Sequence, residues 1–229
     1  MLTAEEIKRH TGEHAASFIE DGMTVGLGTG TTAYWFVLAL GKLVKNGLHC
    51  TGIPTSARSL ELAMENGIKT ASLNDVDSID ITVDGADEID PQLRLIKGGG
   101  GALLQEKMVA AASKQELIIA DYTKLVSQLG AFPLPVEVIP YGFRQVQKKI
   151  ADHFSIKATP RLKNGAMFTT DHGHCILDCH FGKIEDPVSA NEFLKSIPGV
   201  VETGLFINMT SKVLAGYPDG TIKEITISQ

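Results

Sequence analysis

Residues 23–33 read MTVGLGTGTTA. A short apolar run ends at Gly28, a turn of glycine and threonine follows, and residues from about 31 to 46 carry a helical pattern. Strand, glycine turn, helix is the opening unit of a parallel α/β sheet, because a helix returns the chain to begin the next strand in the same direction. The turn also has chemistry of its own. Its backbone N–H groups, a helix N-terminus and the hydroxyls of Thr29, Thr31 and Thr32 form a set that can hold a phosphate. The bland alternative is a tight strand-to-helix turn that binds nothing.

Three further short apolar runs end in a polar or glycine-rich turn. LHCTGIPTS ends near Thr55 and Ser56, IDITVDG carries Asp84 at its end, and ELIIADYTK ends at Asp121. Helical patterns at about 56–66 and 102–114 lie between these runs. The expectation is an open, mostly parallel sheet flanked by helices, Rossmann-like in architecture. Such sheets bind ligands at the carboxyl ends of their strands. Here those ends carry GTGTT, PTS, DGADE and DYTK, so polar groups distant in sequence converge on one rim. GTGTTA also fits the dinucleotide fingerprint G-x-G-x-x-A. That reading needs an acidic residue about 20 positions on, for the ribose. Residues 46–58 (NGLHCTGIPTSAR) hold neither Asp nor Glu, which argues against NAD. No G-x-x-x-x-G-K-[ST] pattern occurs.

Composition changes near residue 126. Residues 1–126 carry a net charge of −6 and residues 127–201 a net of +1. FPLPVEVIP (132–140) follows, and prolines at this density predict an extended linker or edge strand. Beyond it the pattern predicts a helix at about 142–154, a strand pair at about 166–180, a helix at about 188–196 and a strand at about 200–207. Two helices with several strands make a small α+β subdomain, ferredoxin-like in type. The predicted organisation is an α/β domain of residues 1–127 and 203–229, with residues 128–202 as a smaller α+β subdomain. KVLAGYPDGTIKEI closes the chain as a hairpin turned by Pro218-Asp219-Gly220.

The overall charge of −6, with no Lys/Arg-rich stretch, argues against nucleic acid and anionic membranes as partners. The N-terminal stretch reads as a polar amphipathic helix rather than a signal peptide, and no apolar run approaches the roughly 18 residues of a membrane span. Three cysteines, Cys50, Cys175 and Cys179, suit a reducing cytoplasm better than a disulfide scaffold.

Two further segments carry candidate chemistry. DGADEID (84–90) clusters Asp84, Asp87 and Glu88, which could bind Mg²⁺, hold sugar hydroxyls or do acid–base work. Asp87 could equally cap a short turn. Asp84 stands at the favoured strand end and is the first choice. KGGGGALLQEK (97–107) places four glycines between Lys97 and a helix. Glycines allow close approach of backbone to ligand, with N–H groups aimed at an anion or oxyanion. Glu106 has Ala102, Leu103, Val109 and Ala110 as helical neighbours; alone it reads as a solvated helix residue near Lys107, but beside Lys97 and four glycines a carboxylate on such an apolar strip suits a general base. Lys124 offers a point charge for a phosphate, although a lone loop lysine is usually solvated. HGHCILDCH (172–180) looks metal-like, but as a strand it turns Cys175, Leu177 and Cys179 to one face and His180 to the other. The C-x-x-C spacing of zinc sites is absent, so buried thiols are the expectation and no metal is assigned.

VGLGTGTTA, DGADEID, IKGGGGALLQEK, ADYTK, FPLPVEVIP, IPGVVETGLF and PDGTIKEI, in this order, resemble the type A ribose-5-phosphate isomerase family. The resemblance runs from about residue 5 to the C-terminus. It implies reversible conversion of D-ribose 5-phosphate to D-ribulose 5-phosphate in the pentose phosphate pathway, with no metal and no organic cofactor. It implies Glu106 as general base. Substrate contacts fall on Thr29, Gly30, Thr31 and Thr32, on Asp84, Gly85, Ala86 and Asp87, on Lys97, Gly98, Gly99 and Gly100, and on Lys124. A homodimer or homotetramer is the implied assembly. Thr31 replaces a frequent serine, Gly101 a frequent alanine, and Tyr122 is a bulky choice between Asp121 and Lys124. On this basis Gly101 is the one glycine of the run that the chemistry does not require.

In the expected mechanism Glu106 shuttles the proton, Lys97 and glycine N–H groups stabilise charge on oxygen, and Asp84 holds a hydroxyl and assists ring opening. Thr29, Thr31, Thr32 and Lys124 anchor the phosphate. A glycine loop beside a glutamate also suits a coenzyme A transferase, with the glutamate as nucleophile. A sugar-phosphate sensor is a further reading, although no basic helix-turn-helix accompanies it.

Overall fold

The computed structural model describes residues 1–227. The helices are α1 (Ala4–Ala15), α2 (Thr31–Lys45), α3 (Ala57–Glu65), α4 (Leu103–Ala111), α5 (Phe143–Phe154) and α6 (Pro187–Lys195). The first strands are β1 (Thr24–Leu27), β2 (Thr51–Pro54), β3 (Lys69–Thr70), β4 (Ile81–Asp84), β5 (Glu88–Ile89), β6 (Leu95–Ile96), β7 (Glu116–Asp121) and β8 (Leu134–Val138). They are followed by β9 (Lys157–Pro160), β10 (Leu162–Lys163), β11 (Ala166–Met167), β12 (Cys175–His180), β13 (Val200–Thr203), β14 (Leu205–Phe206), β15 (Lys212–Gly216) and β16 (Ile222–Ile225). The chain divides into two compact units: residues 1–86, 105–125 and 209–229, and residues 87–104 and 126–208.

The first unit is built on a seven-stranded sheet in the order β16-β15-β7-β4-β1-β2-β3, parallel except for β16. β7 is buried along its whole length, as a strand covered on both faces must be. One core joins Val25, Leu27, Val83 and Ile119 of the sheet to Phe36 and Leu40 of α2. A second cluster joins Ile53 and Ile79 to Val109 of α4. The closing hairpin is present as read, with Asp219 Oδ1 accepting the Thr221 N–H at 2.9 Å.

The second unit has a four-stranded antiparallel sheet ordered β13-β8-β12-β9. In chain order its parts are β8, α5, β9, β12, α6 and β13, the split βαβ pattern of ferredoxin-like folds. α6 starts where Asp186 accepts the N–H groups of Val188 and Ser189, with Pro187 at the first helical position. Val136, Val138, Leu177 and Cys179 pack with Ile150 of α5 and Leu194 of α6. A separate three-stranded sheet, β14-β6-β5, explains why residues 87–104 group with this unit: Leu95 and Ile96 pair with Phe206 and Leu205. The sequence-based boundary of 128–202 leaves residues 87–104 with the large sheet.

Three local expectations need correction. FPLPVEVIP is neither linker nor edge, since β8 is paired on both sides. Pro135 is tolerated because its carbonyl accepts the Gly204 N–H at 2.7 Å on the side where β13 has already ended at Thr203. The missing N–H therefore removes no ladder bond. Residues 166–180 are not one strand pair: β11 pairs with β10, whereas β12 pairs with β8 and β9. The strand expected over 200–207 breaks at Gly204 into β13 and β14, which belong to different sheets.

Candidate active site

The winding of the large sheet reverses between β1 and β4: β2 and β3 lie to one side of this pair, β7, β15 and β16 to the other. Such a switch point opens a crevice at the carboxyl ends of the two strands. There the Gly28 N–H donates to the Val83 carbonyl and the Thr29 N–H donates to Asp84 Oδ1, both at 3.0 Å. Asp84 Oδ1 also accepts the Gly85 N–H at 2.7 Å. This carboxylate is completely buried. A Cβ on Gly28 would lie 2.3 Å from Asp84 Oδ1, so only glycine lets the two strand ends close. The Thr29 hydroxyl lies 2.8 Å from that of Thr55 and 2.7 Å from that of Ser56. Gly30 has φ +125°, Thr31 is exposed and Thr32 is buried at the start of α2. Hydroxyls and a helix N-terminus thus meet where an anion is favoured.

Glu106 sits on α4 and is 3% exposed. Its neighbour Gln105 donates through Nε2 to the Pro54 carbonyl at 3.0 Å, which ties α4 to the end of β2. Lys124 is half-buried at the close of a short 3₁₀ turn after β7. Asp121 caps that turn by accepting the Thr123 N–H at 3.0 Å. Tyr122 stacks on Tyr217, 5.5 Å between ring centroids, which gives this bulky residue a packing role.

The second unit holds the remaining candidates. Lys97 is 2% exposed; its N–H donates to the Gly204 carbonyl at 2.9 Å and its Nζ lies 5.3 Å from the centre of the Phe206 ring. The glycine run forms a turn closed by the Gly101 N–H on the Gly98 carbonyl at 3.0 Å. Asp87 Oδ2 accepts the Gly99 N–H at 2.8 Å, and Gly99 and Gly100 are exposed. Gly101 has φ +89°, and a Cβ there would lie 2.4 Å from Phe168 Cζ. The fold therefore requires the glycine that the sequence reading singled out as dispensable to the chemistry.

The acidic cluster does not act as one group. Gly85 and Ala86 are half-buried links from Asp84 to Asp87. Glu88 turns away to accept the N–H groups of Gly130 and Phe132, each at 2.6 Å, and so has a structural task. In HGHCILDCH, Cys175, Leu177 and Cys179 are buried and His180 is exposed, as alternation dictates. Burial pushes the Cys179 thiol up to about 12. Among the described residues no group of three or more His, Cys, Asp or Glu is placed to hold a metal ion. The candidate residues read from the sequence do not include Thr55, Ser56 and Gln105, which the structure places at the same sheet rim. Thr55 and Ser56 stand in the PTS segment at a strand's carboxyl end, a usable signal; Gln105 gives none.

A doubly wound sheet with a buried carboxylate and clustered hydroxyls at its switch point, and a ferredoxin-like unit bearing a glycine turn, defines an α/β enzyme. The pattern described as Ribose 5-phosphate isomerase A (phosphoriboisomerase A) matches residues 51–220. The chain belongs to this family. It is 54% identical to the Ribose-5-phosphate isomerase A of Bacillus cereus (strain ATCC 10987 / NRS 248) over 215 residues, 93% of this chain and 97% of the relative. Among solved structures, a D-ribose-5-phosphate isomerase in complex with phospho-erythronic acid aligns with TM-score 0.95 and 39% identity, covering 98% of this chain and 100% of that one. The ribose 5-phosphate isomerase of Plasmodium falciparum aligns with TM-score 0.95 and 34% identity over the same shares.

Proposed function

We propose that this chain interconverts D-ribose 5-phosphate and D-ribulose 5-phosphate through an enediolate. Its isomerase activity follows from the family, and the observation that carries it is whole-chain similarity to Ribose-5-phosphate isomerase A at 54% identity. The roles of individual residues are our reading of the geometry. Glu106 removes the proton from C2 of the open-chain aldose and returns it to C1, while a proton passes between O2 and O1. Lys97 and the glycine-turn N–H groups stabilise negative charge on those oxygens. Asp84, held by two N–H groups, fixes a sugar hydroxyl and assists ring opening. Thr29, Thr31, Thr32 and Lys124 anchor the phosphate, a remote handle that orients the reacting end. Phospho-erythronic acid, bound by a structural relative, supports this reading, because its carboxylate is planar and anionic like an enediolate.

The reading extends to a homodimer or homotetramer in the cytoplasm, which sedimentation and fractionation measure. No helix among the described residues is long and apolar enough to cross a membrane. The direct test is formation of ribulose 5-phosphate from ribose 5-phosphate with EDTA present. Turnover is expected; none, with or without added divalent metal, overturns the function.

A further inference from the structure

We propose that Arg161 is a positioning residue for the isomerisation, clamping the glycine turn so that the Gly100 N–H faces the substrate oxygens. Its Nη1 donates to the Gly98 carbonyl at 2.8 Å and to the Gly99 carbonyl at 3.1 Å. Its Nε and Nη2 donate to the two carboxylate oxygens of Asp178 at 3.0 and 2.5 Å. Asp178 lies on β12, so the fork is anchored to the four-stranded sheet. The guanidinium carbon also lies 6.0 Å from the centre of the Phe168 ring, the ring that covers Gly101.

Glycines make this device necessary. A run of four has no side chains to fix its peptide planes and loses the most freedom on ordering. In a trans peptide the C=O and N–H point in opposite directions, so holding a carbonyl also aims the N–H of the next residue. The Gly98–Gly99 peptide is held at both ends, by Arg161 on its carbonyl and by Asp87 on its N–H. The Gly99–Gly100 peptide is held by Arg161 through its carbonyl, and its N–H is thereby turned to the opposite face. Arginine suits the task where lysine does not: its planar fork serves a carboxylate and the carbonyls at once. Arg161 touches no reacting atom; it acts through the turn.

The kinetic arm of the test rests on the isomerase reading, and amide exchange stands apart from it. Arg161→Met is expected to lower kcat by roughly 10- to 100-fold with KM for ribose 5-phosphate changed by less than about threefold, because misplaced groups are costly while the phosphate anchor is built from other residues. Arg161→Lys should fall between the variant and the parent, and ethylguanidinium should restore part of the rate lost in Arg161→Gly. Hydrogen exchange at the Gly99 and Gly100 amides should accelerate by about tenfold as the turn loosens. Parental kcat in a folded variant overturns the proposal. So does a loss of rate with unchanged exchange at these amides. Should Arg161→Met not fold, Arg161→Lys and Asp178→Asn are judged by the same two criteria. A parent protein without isomerase activity would sink the functional reading, and the exchange arm would then decide the clamp alone.

Discussion

The backbone N–H of Thr29 donates to Asp84 Oδ1 at 3.0 Å, across 55 residues of sequence. This bond joins the turn read as a phosphate anchor to the carboxylate read as a sugar contact. It depends on Gly28, whose Cα passes against Asp84. Gly28→Ala places a methyl 2.3 Å from Asp84 Oδ1 and 2.5 Å from its Cα. Backbone lies on one side of that contact, so relief requires the strand ends to part. The expected cost is about 1–3 kcal/mol of stability. Because parting the strands also moves Asp84, kcat/KM should fall more than melting temperature alone suggests. Thermal denaturation and steady-state kinetics on the same preparation check both.

Much of this geometry was legible beforehand for a physical reason. Alternating strand and helix signals restrict an open sheet to few topologies, and the carboxyl-end rule then selects GTGTT and DGADE without coordinates. The ferredoxin-like unit was legible only in outline. Pro135 misled because proline weighs against a central strand unless its blank N side meets a neighbour that has ended, and that depends on Gly204. Glu88 could not be told from Asp84 by composition; only the N–H groups each accepts, those of Gly130 and Phe132 for Glu88 and those of Thr29 and Gly85 for Asp84, separate them. Arg161 stands 62 residues from Gly99, and nothing local to either announces the other.

Glu106 and Lys124 are expected to fail in different ways. Glu106→Gln keeps the shape of the side chain and removes the base, so kcat should drop by about 10²-fold or more with KM near the parental value. Solvent-deuterium incorporation at the transferred carbon should fall in step. Lys124→Ala should chiefly raise KM, and more so for the phosphorylated sugar than for free ribose. Near-parental turnover by Glu106→Gln sinks its assignment as base, and a selective fall in kcat for Lys124→Ala moves that lysine into the chemistry.

Stability should also respond to pH through Asp80. The ammonium of Lys114, 2.7 Å from Oδ1, and the Thr24 N–H, 2.9 Å from Oδ2, hold this carboxyl below its ordinary range. A carboxyl depressed in the folded state stabilises above its unfolded value of about 3.9, and that contribution disappears as pH falls through the folded value. Asp80→Asn should therefore cost about 1 kcal/mol at pH 7. The gap between variant and parent should close as pH drops below about 4. Urea titrations across this range measure it, and a gap independent of pH would exclude the ion pair as its source.

Gly101 separates backbone strain from crowding. Gly101→Ala puts a Cβ on a residue at φ +89° and presses it to 2.4 Å from Phe168 Cζ. Left-handed backbone costs an ordinary residue about 1–2 kcal/mol, and overpacking adds about 1–3 kcal/mol. In a Phe168→Ala background the second part should vanish and the first remain, so the same substitution should cost only about 1–2 kcal/mol there. A double-mutant cycle in urea measures the difference. If the cost is equal in both backgrounds, the ring yields freely and φ alone demands the glycine. If the substitution is neutral in both, the turn can adopt another conformation at Gly101, and the four-glycine run is more tolerant than its geometry implies.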